Sequence, residues 1–122
     1  IPYASARVWA RFGLLLLNGG VWEGRRVLPE GWVECMTTPS PASGRGDYGA
    51  QTWLNRGPAG RPDERPYPTL PPDMFKLEGY QDQFTAVIPS RQVVLVRLGM
   101  TTKGDFPLEA FISDILKGIP NP

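Results

Sequence analysis

Histidine is absent from this 122-residue chain. That absence excludes Ser-His-Asp and Cys-His catalysis and argues against a zinc or non-haem iron centre. Cysteine is nearly absent too. Cys35 alone excludes an internal disulfide, supports no Cys/His metal cluster, and leaves the redox compartment open. A nucleophilic role for Cys35 is disfavoured, because no histidine is present to activate it. Charge of either sign is not in excess: the net charge is +1, so no basic surplus points to nucleic acid or an anionic membrane surface. Long apolar runs are missing as well. The longest, Leu14 to Leu17, is far too short to span a bilayer, and the opening residues carry no signal-peptide pattern. No metal or cofactor is implied. The remaining chemistry must come from carboxylates, Lys, Tyr, Ser and backbone amides.

Proline and glycine are abundant, at 14 each, and prolines crowd the segment from Pro58 to Pro72. Residues 55–73 therefore read as a long, partly stiff loop inside the fold. Before it, Ser5 is placed to cap a helix that stops at Gly19-Gly20. Its expected buried face is Val8, Trp9, Phe12, Leu15 and Leu16. Glu23-Gly24 reads as a turn and Arg26 to Leu28 as a short extended piece. A short helix opened by Pro29 should bury Trp32, Val33 and Met36. Arg45-Gly46-Asp47 reads as a plain turn rather than an integrin-binding triplet. The four tryptophans read as packing residues rather than a ligand platform.

Tyr48 to Asn55 alternates like a strand, with Tyr48, Ala50, Thr52 and Leu54 on one face and Gln51 and Trp53 on the other. Tyr48 and Trp53 are candidate substrate contacts, because this strand leads into the loop. Met74 to Gly79 reads as another strand. Phe84 to Gly99 reads as a hairpin turning at Pro89-Ser90-Arg91-Gln92, and the run Val93 to Val96 suggests a central strand buried on both faces. Leu108, Phe111, Ile112, Ile115, Leu116 and Ile119 recur at helical spacing between Pro107 and Gly118, and that helix must lie on the hairpin sheet. The expected fold class is α+β, an antiparallel sheet packed by N- and C-terminal helices.

Taken in order, three segments carry a family likeness: "SARVWARFGLLLLNGGVWEGRRVLPEGWVECMTTP", "GYQDQFTAVIPSRQVVLVRLGMT" and the final helix. Together they resemble the C-terminal portion of the serine β-lactamase-like hydrolases, the superfamily of class C β-lactamases, penicillin-binding peptidases, esterases and nylon-oligomer hydrolases. The resemblance implies a partial β-lactamase/transpeptidase-like domain over residues 1–122. It also implies acyl-enzyme hydrolysis of an ester, amide or β-lactam. Such chemistry uses a Ser-x-x-Lys motif, a Tyr-x-Asn or Ser-x-Asn motif, and a third motif of the His/Lys-x-Gly type beside an oxyanion amide.

The chain matches only the third motif, at Gly79-Tyr80-Gln81-Asp82-Gln83. Ser5, Ser40, Ser43, Ser90 and Ser113 all lack a lysine three residues on. The resemblance therefore implies a fragment whose nucleophile half lies upstream of Ile1, inactive by itself. Tyr80 takes the proton-network or substrate-contact slot, and the Gln83 N–H the oxyanion slot. Gln81 and Asp82 become substrate-side residues. Two departures are evident. Tyr80 replaces a cation and cannot balance a substrate carboxylate. Asp82 replaces glycine and is expected to bring negative charge near the oxyanion. Both argue against recognition of a β-lactam carboxylate and favour an ester or amide as the small-molecule substrate of a longer protein, or a degenerate site in a non-catalytic binding or structural module. An incomplete sheet is also expected to self-associate through exposed sheet or helix surface. The compartment, periplasmic, secreted or cytoplasmic, is left open.

Overall fold

Ser5 begins the first ordered element, its Oγ accepting a hydrogen bond from the Val8 N–H at 3.3 Å. In the computed structural model, which describes residues 2–102 and 104–122, helix α1 spans Ala6–Leu17. It ends where Gly19 and Gly20 take positive φ angles of 66° and 93°. Strands β1 (Val21–Trp22) and β2 (Arg25–Arg26) pair antiparallel around Glu23 and Gly24, both left-handed, as a two-residue hairpin requires. Helix α2 spans Trp32–Met36. It starts later than Pro29 because Gly31, at φ 81°, interrupts the chain before it.

The main sheet is antiparallel in the order β3-β4-β5-β6, formed by Trp53–Leu54, Phe75–Glu78, Phe84–Ile88 and Val93–Arg97. Alternation along these strands divides the core in two. Leu54, Phe75 and Val87 face one way and pack with Leu16, Val33 and Met36 of the first two helices. Phe84, Ala86, Ile88 and Val93 face the other way and pack with Ile112 and Leu116 of helix α3, Leu108–Lys117. Each fully buried aliphatic side chain contributes about 1.5–3 kcal/mol to this arrangement. The fold is α+β, with helices covering both faces of an antiparallel sheet.

Four sequence expectations change. α1 buries Gly13 and Leu16 and leaves Val8 and Phe12 exposed at 48% and 39%. The cause is Gly13, where a Cβ would stand 2.5 Å from Val94 Cγ1. The helix settles on its glycine, where backbone approaches the sheet most closely. In α2, Val33 and Met36 join the core, but Trp32 is exposed. The strand expected over 48–55 shrinks to Trp53–Leu54 plus an isolated bridge from Tyr48 to Trp53, because Gln51 turns the chain at φ 62°. The central strand is β5, buried along its whole length. Strand β6 stands at the end of the sheet with half-buried residues, since nothing among the described residues pairs with its outer side.

The Pro-rich loop is organised around Asn55, the residue at which the expected strand meets the loop. Buried to 1% exposure, its Nδ2 donates to the carbonyls of Tyr67, Leu70 and Pro71 at 3.0, 3.3 and 3.1 Å. Its Oδ1 accepts the Tyr67 N–H at 2.9 Å. Proline carries no N–H, so one buried amide side chain takes over the hydrogen bonding that loop backbone cannot supply for itself. In the earlier loop, Asp47 is held by Arg45 at 3.3 Å and by the Ser43 hydroxyl at 3.3 Å. The acidic arm of the Arg-Gly-Asp triplet is thus turned inward on its own loop.

Candidate functional site

The turn between β4 and β5 closes with the Gly79 N–H donating to the Gln83 carbonyl at 2.8 Å. Tyr80 to Asp82 make a tight 3₁₀ turn in which Gln81 and Asp82 have φ 57° and 60°. A position that must be left-handed favours glycine, and aspartate is among the few other residues that tolerate it. Asp82 therefore stands in a glycine-like conformation.

Arg97, at the end of β6 and paired with Phe84, fixes that turn. Its Nη1 donates to the Asp82 carbonyl at 2.9 Å and the Gln81 carbonyl at 3.4 Å, and its Nη2 donates to Thr101 Oγ1. The guanidinium also lies 3.9 Å over the Phe106 ring, a cation–π contact. Sequence reasoning missed Arg97. The available cue was a single cation closing an otherwise apolar strand.

Asp82 carries the carboxylate of this turn. Its Oδ2 accepts the N–H groups of Gly104 and Phe106 at 3.0 and 3.3 Å, so the carboxylate ties the following loop to the turn. Asp82 borders a cavity of about 510 Å³ beside Phe106 and Glu109, not the groove on the α1 side. Gln81 lies outside that groove also. The Gln83 side chain is spent on structure: Nε2 donates to the Tyr80 carbonyl at 3.0 Å, and Oε1 accepts the Gly99 N–H at 3.2 Å.

Tyr80 and Gln83 do come together. Both line a groove of about 310 Å³ between the segment leading into α1 and the β4–β5 end of the sheet. Tyr80 is 81% exposed, so its ring and hydroxyl are free to meet a ligand. Trp9, set aside as a packing residue, lines the same groove. Tyr48 and Trp53 do not. Their rings meet edge to face at 4.7 Å, and Trp53 covers Lys76 Nζ from 6.0 Å, with Tyr67 at 5.6 Å. Lys76, 4% exposed, is neutralised by Glu78 at 2.9 Å. Trp53 and Tyr67 thus cover the buried Lys76 ammonium on the α3 side of the sheet.

No serine lines the groove. Ser5 is consumed as the α1 cap, and Ser90 bonds both carboxylate oxygens of Asp73, through its N–H at 2.6 Å and its hydroxyl at 2.8 Å. Among the described residues, no three His, Cys, Asp or Glu side chains gather as metal ligands. No helix among them is long and apolar enough to cross a membrane. What the groove can supply chemically is an apolar wall and a phenol. No family model matches the chain, and no curated protein matches its sequence.

Proposed function

We propose that this chain supplies one wall of the acyl-transfer cleft of a serine β-lactamase-like hydrolase acting on a neutral ester or amide, with the nucleophile contributed by sequence upstream. The observation that carries this reading is the groove that Gln83 and Tyr80 line together at the tight turn heading β5. An amide held by a tight turn at the mouth of an apolar groove is the kind of donor that stabilises a tetrahedral oxyanion. Tyr80 then serves as hydrogen-bond donor to the substrate or to the proton network. Asp82, with its carboxylate on Gly104 and Phe106, holds the turn without opposing the developing charge.

The test uses the chain joined to its upstream reading frame. That frame should encode Ser-x-x-Lys and Tyr-x-Asn, and the product should turn over p-nitrophenyl acetate. Gln83 has φ −79°, close to the proline value, so Gln83→Pro removes the N–H without demanding a new φ. Gln83→Ala removes the side chain and keeps the N–H. Loss of the oxyanion donor should lower kcat of the proline variant about 100-fold below the alanine variant. Equal activity of the two folded variants, or an upstream frame lacking both motifs, refutes the reading.

A second reading is a non-catalytic binding or structural module, favoured by the lack of any serine or lysine along the groove among the described residues. Ester turnover that disappears with the serine of Ser-x-x-Lys eliminates it.

A further inference from the structure

We infer that the groove between α1 and the β4–β5 end of the sheet is a recognition subsite for an uncharged aryl or alkyl group, and that it discriminates against carboxylates. As substrate recognition this rests on the acyl-hydrolase reading; as binding it needs the groove alone.

The volume, about 310 Å³, lies at the small end of the range for small-molecule sites and suits a single ring or a short acyl chain. Trp9, Tyr3 and Tyr80 provide aromatic walls, and Leu77 and Leu98 provide aliphatic ones. Tyr3 and Tyr80 are 90% and 81% exposed, so a ligand seated between them would remove aromatic surface from water, a favourable change.

Among the described residues no lysine or arginine lines this groove, and the acidic residue along it is Glu78. Glu78 alternates with Leu77 along β4 and shares the face of Lys76, to which it is paired at 2.9 Å. Leu77 and its cross-strand neighbour Thr85 therefore present the groove side, and Glu78 is held toward the opposite face. An entering carboxylate would lose hydration with no cation to replace it. Gln83 lines the same groove, which places the polar atoms of an ester or amide at the turn and its apolar group among the rings. Trp9 and Tyr80 become specificity residues.

The experiment is a titration of the 122-residue chain, followed by amide NMR at constant ionic strength. The probes are benzyl acetate, sodium phenylacetate and benzyltrimethylammonium chloride, which share a ring and differ in charge. Benzyl acetate should give saturable shifts at Leu77, Gln83, Thr85 and Leu98, and bind at least about tenfold tighter than either charged probe. Tyr80→Ala and Leu98→Asp both alter exposed side chains, and each should weaken benzyl acetate at least about threefold while far-UV circular dichroism stays unchanged. Shifts that do not saturate, that map elsewhere, or that discriminate less than about tenfold overturn the inference. Selective binding without ester turnover in the longer polypeptide would remove the hydrolase reading and leave the subsite standing. Ester turnover indifferent to charge at this group would do the reverse.

Discussion

Replacing Asn55 by alanine removes the centre of the Pro-rich loop. Its side chain makes hydrogen bonds to the carbonyls of Tyr67, Leu70 and Pro71 and to the Tyr67 N–H, and the residue is 1% exposed. After truncation the more peripheral carbonyls can turn to water, while the buried Leu70 carbonyl and the Tyr67 N–H are the groups left without partners. Each unsatisfied buried group costs about 1–3 kcal/mol, so a loss of roughly 3 kcal/mol is expected. For a chain of this size that corresponds to a fall in Tm of about 10 °C. Urea unfolding followed by circular dichroism measures the free energy directly. Asn55→Asp should be worse than alanine, because it keeps the acceptor for Tyr67 but faces a carboxylate toward three carbonyls. An alanine variant within about 0.5 kcal/mol of the parent, or an aspartate variant as stable as the parent, would show that Asn55 does not organise the loop.

Gly13→Ala should destabilise by about 1 kcal/mol although alanine favours helix, because overpacking against Val94 at 2.5 Å outweighs the propensity gain. A double-mutant cycle with Val94→Ala should recover about 1 kcal/mol, and strict additivity would refute the contact. Arg91 donates to the Leu116 and Ile119 carbonyls at 2.9 and 2.7 Å, capping the C-terminal end of α3. Arg91→Met should cost about 1–2 kcal/mol and speed amide exchange in the last turn of α3 but not in β5; uniform acceleration would count against a local cap. The 122-residue chain incubated with p-nitrophenyl acetate should show no acyl adduct by mass spectrometry, since no serine lines the groove. A stoichiometric mass increase would refute that.

Residue order alone wrote the elements whose determinants are local. The Ser5 cap, the Gly19-Gly20 stop, the Glu23-Gly24 turn, the β5–β6 hairpin and the apolar stripe of α3 all depend on neighbours a few positions away, and all form where spacing placed them. The tight turn at Gly79 to Gln83 and its place at the head of β5 were legible for the same reason. Tertiary contact decided the rest. Which face of α1 is buried depends on where Val94 meets Gly13, a contact no helical periodicity encodes. Whether β5 or β6 is central depends on which strands find partners, and both runs are equally apolar in sequence. Asp82 turns its carboxylate away from the groove because Gly104 and Phe106 offer their amides on the other side. Trp9 enters the groove and Trp53 the Lys76 shield, since a tryptophan carries the same burial tendency in either place and only packing geometry assigns the partner.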